Sequence, residues 1–215
     1  MRGITLISAV GFSIAAALGV SPASATTFSN ESSWNGTDAF LPIGNDSYGE
    51  TFNAPGGVLS SFGFMVDTAG ATGDVKLVLS DWDGTKPIGP AIYTSAEFAL
   101  NSTPGMRWNI VNGINAPLTL GQSYIAYFTV VGVVDPIANP VLARTADDGG
   151  LGGMFSFHSS APPQNWQHEP FQANLVYKAE FDVAKTPIPG TLPLLASALT
   201  GLGFVGWRRK KAEAS

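Results

Sequence analysis

Asn174-Leu175-Val176-Tyr177-Lys178-Ala179-Glu180-Phe181-Asp182-Val183 alternates almost without interruption. Leu175, Tyr177, Ala179, Phe181 and Val183 occupy one set of positions; Asn174, Lys178, Glu180 and Asp182 occupy the other. A period of two belongs to a β-strand, whose successive side chains point to opposite faces, so this segment should bury one face and wet the other. Val75, Leu77 and Leu79 alternate in the same way with Lys76, Val78 and Ser80, and Leu59, Phe62, Phe64 and Val66 fall mostly on one face of their own run.

Outward from these segments the pattern repeats. Gly, Pro, Asn, Asp, Ser and Thr punctuate runs rich in Val, Ile, Phe and Tyr, which predicts strands at about 48–53, 58–67, 74–80, 92–100, 106–111, 123–131, 141–144, 154–158 and 171–183. No βαβ rhythm and no internal repeat of solenoid length interrupts them. The expected fold is all-β: an antiparallel two-sheet sandwich of jelly-roll type over residues 26–185. Within that span Lys76, Lys86, Arg107, Arg144, Lys178 and Lys185 face fifteen Asp and Glu, a formal charge of −9. Nucleic acid and anionic membrane surfaces are poor partners for it, because phosphate binding needs clustered Lys and Arg. The chain has no cysteine, which excludes disulfides, thiolate nucleophiles and thiolate metal sites, so the core alone must hold the domain.

The two ends read differently. Met1-Arg2, the apolar run from Ile4 to Val20 and the small residues Ala23-Ser24-Ala25 have the layout of a secretory signal peptide over 1–25, with Thr26 as the expected mature start. At the other end, Pro187 and Pro189 hold off helix until an apolar run, which stops at Arg208-Arg209-Lys210-Lys211. Ile188 to Trp207 gives 20 positions without a charge. At 1.5 Å per residue they would span roughly 30 Å, the thickness of a bilayer's hydrocarbon. A transmembrane helix is expected at 191–207, with the basic tail 208–211 held on the cytoplasmic side of the membrane.

Pro187-Ile188-Pro189, Gly190-Thr191-Leu192-Pro193, Gly201-Leu202-Gly203 and Gly206-Trp207-Arg208-Arg209 together resemble the PEP-CTERM sorting signals of Gram-negative bacteria, in the variant class that opens Val-Pro-Leu-Pro. Ile188 stands where the name-giving glutamate would be, and Thr186 where the variant class has valine. The resemblance covers only about 25 of the 215 residues, within the sorting signal expected at 186–215. It implies a membrane exosortase as processing partner, transient anchoring through Pro187, Pro189, Gly190, Arg208 and Arg209, and export to the cell surface or exopolysaccharide matrix.

Candidate chemistry is sparse. His158 and His168 belong to no zinc-protease helix or nucleophile elbow, and His168-Glu169 beside Trp166 is read as solvated loop before acid–base pair. Asp81-Trp82-Asp83-Gly84 places two carboxylates one residue apart before a glycine. That pattern suits a hairpin turn and, as an alternative, a calcium loop ligated by Asp81 and Asp83; Asp147-Asp148-Gly149-Gly150 is a weaker copy. No other cofactor is expected. Tyr48-Gly49-Glu50-Thr51-Phe52, Trp82-Asp83-Gly84-Thr85, Gly89-Pro90-Ala91-Ile92-Tyr93 and Leu118-Thr119-Leu120-Gly121-Gln122 are similar in pattern to carbohydrate-binding jelly rolls. The resemblance implies a sugar ring stacked on an exposed aromatic: Trp166 first, in its polar loop, then Trp82, Trp108 or Tyr93. The expectation is therefore a non-catalytic exported surface or matrix protein that binds polysaccharide weakly. A structural or adhesive protein without a sugar site is the alternative, and a secreted hydrolase the least supported reading.

Overall fold

The computed structural model describes residues 24–39, 45–159, 165–168 and 173–183. These residues form fourteen strands and one turn of 3₁₀ helix at Glu31–Ser33. In chain order the strands are β1 (Ser24–Ser29), β2 (Gly36–Ala39), β3 (Asn45–Asn53), β4 (Gly57–Asp67), β5 (Asp74–Trp82), β6 (Pro87–Thr94), β7 (Phe98–Ala99), β8 (Arg107–Leu118), β9 (Ser123–Thr129), β10 (Val141–Thr145), β11 (Phe155–Ser159), β12 (Trp166–His168), β13 (Asn174–Leu175) and β14 (Tyr177–Val183). One sheet runs β1-β14-β4-β10-β13, with β8 beside β4 and β2 beside β10; the other runs β12-β11-β3-β9-β5-β6, with β7 beside β5. Every strand pair is antiparallel.

The alternation is realised over 177–182, whereas Asn174, expected on the wetted face, is buried. Leu175, Tyr177, Ala179 and Phe181 are buried in the main core, while Lys178, Glu180 and Asp182 are partly exposed. The ladder breaks at Val176, whose N–H donates to Ala143 O, so the expected single strand is β13 on β10 followed by β14 on β4. Leu59 and Phe62, three apart, share a face because Ser60 is an extra residue. Leu59 lies opposite Phe181 and Ser61 opposite Glu180, a bulge that resets the parity. The expected strand at 92–100 divides into β6 and β7: the Ser95 hydroxyl takes the Leu77 N–H at 2.9 Å in place of a backbone carbonyl. β8 extends past the expected 111 to Leu118, shifting register where Gly113 and Asn115 take φ of 74° and 54°. β1, β2 and β12 are short and carry too little alternation to be seen in sequence. β1 starts at Ser24, inside the expected small-residue site, and pairs Ala25 with Asp182.

Among the described residues no helix is long and apolar enough to cross a membrane. The expected signal core, the helix at 191–207 and the basic tail all lie outside the described residues, as do Pro187, Pro189, Gly190, Arg208 and Arg209.

The inner faces of the sheets meet through rings. Phe52 of β3 stacks on Phe62 of β4 at 5.7 Å, Phe62 stacks on Tyr177 of β14 at 5.6 Å and 5°, and Phe64 meets Phe128 of β9 edge-on at 5.0 Å. Offset and edge-to-face geometries are the ones ring quadrupoles favour. Between Tyr48 and Phe52 the same alternation drives Glu50 inward, where it is fully buried. Its Oε2 accepts the Leu175 N–H at 2.9 Å, and its Oε1 accepts the Asn174 side-chain N–H at 2.8 Å. The carboxyl thus ties β3 of one sheet to β13 of the other. Burial pushes the Glu50 carboxyl well above its ordinary range; the Leu175 hydrogen bond pulls against that shift, and the charge of Asp148 adds to it.

A carboxyl whose folded pKa is raised holds its proton when the unfolded chain has already released it. Stability is then full below the ordinary glutamate value of about 4.3 and falls as pH rises toward the folded value. Urea denaturation from pH 4 upward is expected to show this decline in the native protein, at no more than about 1.4 kcal/mol per pH unit. Glu50→Gln should flatten it. Parallel profiles for the two proteins would show that Glu50 does not titrate in this window.

Candidate functional site

Because Tyr48, Glu50 and Phe52 point into the core, Ser47, Gly49, Thr51 and Asn53 of β3 point away from it. Register then assembles the outer face of the second sheet row by row. His158 pairs with both Trp166 and Ser47, Ser47 with Thr129, and Thr129 with Lys76. One row along, Ser156 pairs with His168 and Gly49, Gly49 with Tyr127, and Tyr127 with Val78. Thr, Tyr and Val suit a pleated half-buried surface, and their small polar neighbours leave it hollow.

The edge strand β12 lies across this face. Trp166 meets Tyr127 at 5.0 Å, His158 at 5.6 Å and Trp82 at 5.8 Å, although three strand pairings separate it from Tyr127. His168 packs edge-on against Trp82 at 5.7 Å. Its Nε2 lies 3.2 Å from Gly84 O, in the β5–β6 turn, and its Nδ1 lies 3.0 Å from the Ser156 hydroxyl. A carbonyl only accepts, so Nε2 carries the hydrogen and Nδ1 takes the Ser156 O–H. β12 is therefore tied to the far side of its own sheet.

Two cavities flank the ring cluster. The larger, about 440 Å³, is lined by Ser47, Lys76, Tyr127, Thr129, His158 and Trp166 together with Val78 of β5, Ala91 and Thr94 of β6, and Val131 after β9. The smaller, about 260 Å³, is lined by Thr51, Asn53, Trp82, Ser123, Met154 and His168 among others.

The polar groups of the larger cavity are already ordered. His158 Nδ1 sits 2.8 Å from Asp46 Oδ1, which also accepts from the Ser47 hydroxyl at 2.9 Å; Ser47 Oγ in turn lies 2.9 Å from Thr129 Oγ1. A carboxylate accepts only, so the imidazole hydrogen is on Nδ1. Lys76 Nζ donates to Gly132 O at 2.6 Å and lies 3.2 Å from Glu97 Oε1. Burial raises the Tyr127 phenol above its ordinary value, with the Ser80 hydrogen bond opposing and the Asp46 charge adding to the rise, so it stays protonated at neutral pH.

The aromatics singled out by sequence do not form one platform. Trp82 and Trp166 meet at this face, Trp82 with 9% of its surface exposed. Tyr93 lies opposite Leu79 and packs against the main core. Trp108 is on the outer side of the other sheet, beside Met106, over Met65, Ala143 and Val176. Asp81 and Asp83 serve different partners. Asp81 Oδ1 accepts from the Gln122 side-chain amide at 2.7 Å, whereas Asp83 Oδ1 accepts the Thr85 N–H, the Thr85 hydroxyl and the Lys86 N–H, each at 2.8 Å. Those bonds, the Thr85 hydroxyl first, hold the exposed Asp83 carboxyl below its usual range. Among the described residues no three His, Asp or Glu side chains converge as metal ligands would. Asp147 and Asp148 likewise cap their own turn through Gly149 N and Gly150 N.

Asp46, Ser47, Tyr127 and Thr129 carry no site signal in the sequence, and His158 is legible there only as the end of the expected strand at 154–158. The alternation of 45–53 and 123–129 could have marked the outward positions. Nothing local could have joined Asp46 to His158, 112 residues apart.

No family model matches the chain, and no curated protein matches it. Among solved structures it is similar to the cysteine protease and lectin-like domains of Cwp84, a surface layer associated protein of Clostridium difficile. The two are 12% identical over 68% of this chain and 36% of that one, with a TM-score of 0.40. The chain thus spans little more than a third of that structure's length.

Gly49 leaves the room into which Tyr127 leans: a Cβ there would collide with Tyr127 Cβ and with the Ala126 carbonyl. Gly49→Ala is expected to lower stability by about 1 to 3 kcal/mol, the usual scale of overpacking, and to change the near-ultraviolet circular dichroism of the Tyr127–Trp166 pair. An unchanged spectrum and melting temperature would show that the face has slack.

Proposed function

We propose that this protein is an exported, non-catalytic surface or matrix protein whose β-sandwich binds polysaccharide weakly on the outer face of its second sheet. The observation that carries this is the larger cavity. An indole and a phenol wall a space of about 440 Å³ whose other lining groups include the hydroxyls of Ser47 and Thr129 and the imidazole of His158. A sugar needs both kinds of surface, an apolar ring for its C–H faces and ordered polar atoms for its hydroxyls.

The chain passes from one sheet to the other along β3, β4 and β5, and again along β8, β9, β10 and β11. This alternation supports assigning the sandwich to the jelly-roll type. The domain is read as residues 26–185, with a signal peptide before it and a PEP-CTERM-like tail after it. The tail would be inserted in the inner membrane by 191–207, stopped by 208–211 and processed by an exosortase, releasing the domain to the surface or matrix.

A structural or adhesive role without a sugar site is favoured by one observation: Trp166 already contacts Tyr127, His158 and Trp82, so packing alone accounts for its position. The two readings separate on one variant. Trp166→Ala, made in the full chain, is expected to weaken binding to a responsive polysaccharide by about 1 to 3 kcal/mol, or about 5- to 150-fold, with the fold retained by far-ultraviolet circular dichroism. Absence of saturable binding by the native protein across a polysaccharide panel would leave the structural reading. For the tail, neutral replacement of Arg208, Arg209, Lys210 and Lys211 is expected to reduce retention in the inner-membrane fraction. Unchanged fractionation would remove the stop-transfer role.

A further inference from the structure

We propose that the larger cavity takes a neutral, hydroxyl-rich glycan and discriminates against acidic polysaccharide. This deepens the sugar-binding reading and rests on it. The cation in the lining is already engaged, and the nearby carboxylate is hydrogen-bonded. Lys76 is held by Glu97 and by the Gly132 carbonyl, and Asp46 is held by His158 and the Ser47 hydroxyl. A uronate entering here finds Lys76 as the cation of the lining, already engaged, has the Asp46 carboxylate close by behind His158, and gives up its hydration. At longer range it approaches a domain carrying a formal −9 over residues 26–185.

A neutral sugar meets none of these costs. Asp46 fixes the His158 hydrogen on Nδ1, and no described residue engages Nε2, which leaves that lone pair as an acceptor for a sugar hydroxyl. The hydroxyls of Ser47 and Thr129 lie in the same cross-strand row, buried and bonded to one another, to Asp46 and to the Val131 N–H, so they fix the floor of the cavity beneath the histidine. Trp166 leans against His158 at 5.6 Å and offers its apolar surface to the ring carbons. The selectivity comes from what is absent as much as from what is present: a surface whose cation is already engaged by Glu97 gains nothing from a ligand's negative charge.

The test titrates the full-length protein with a neutral hexose polymer and with a polyuronate, each at about 50 and about 500 mM salt, conditions between which screening of exposed charges differs strongly. The expected result is saturable binding to the neutral polymer that changes less than about twofold with salt, and at least about tenfold weaker binding to the polyuronate. His158→Gln, with its near-ultraviolet spectrum retained, should weaken the neutral interaction about tenfold, the scale of one lost hydrogen bond to a partner in a site. Tighter binding to the polyuronate, collapsing at high salt, overturns the neutral-glycan inference while leaving sugar binding intact. Neutral binding indifferent to His158→Gln overturns the assignment to this cavity. No saturable binding to either polymer overturns the sugar-binding reading and the inference with it. The comparison of polymers on the native protein decides the selectivity even if the variant does not fold.

Discussion

The contact between Phe52 and Phe62 joins the two sheets, and much of the molecule follows from it. Those rings stack at 5.7 Å, and Phe62 in turn lies flat on Tyr177 at 5.6 Å. With no cysteine available, ring packing of this kind must fix the separation of the sheets. It also fixes parity. Once Phe52 and Tyr48 face inward, Ser47, Gly49, Thr51 and Asn53 must face outward, because a strand offers no third direction. The hollow outer face is therefore a consequence of the core.

Parity also carries a cost, visible at Glu50. The position between Tyr48 and Phe52 is as buried as theirs, and a carboxyl there must be neutral or fully hydrogen-bonded. Leu175 N–H and the Asn174 amide meet it from the opposite sheet. Gly153 belongs to the same arrangement, since a Cβ there would press on Glu50 Oε1 and on the Thr51 carbonyl. Asn30 performs a comparable service on the other sheet. Its side chain donates to Leu175 O and Asp147 O and accepts from Tyr177 N, so the interrupted ladder between β13 and β14 loses no hydrogen bond. Buried polar groups here mark the places where strands change partners.

The site is made of residues that are distant in sequence and near only through register. Asp46 reaches His158 across 112 positions and His168 reaches Gly84 across 84. β12 brings in both Trp166 and His168, yet it is three residues long, too short for its alternation to be read from sequence. Its place over the sheet depends on Tyr127 and Trp82, which belong to strands elsewhere in the chain. The Asp81 and Asp83 pair illustrates the converse. A spacing that suits a cation loop is satisfied here by local donors at Thr85 and Lys86, with Gln122 meeting the other carboxylate.

By itself the sequence determined the all-β class, the strands with clear alternation, the inward sets on β4, β5 and β14, and the absence of disulfide and thiolate chemistry. Each is a property of neighbours one or two residues apart, or of composition, which local physics settles without a fold. Only the tertiary structure decided which strands pair, that Ser60 bulges so that Leu59 and Phe62 share the core, that Trp108 and Tyr93 lie away from Trp82 and Trp166, and that Asp46, Ser47, Thr129 and His158 share one cavity. Those facts depend on register between segments dozens of residues apart. A strand's own period of two says which of its faces is apolar and nothing about which strand lies beside it.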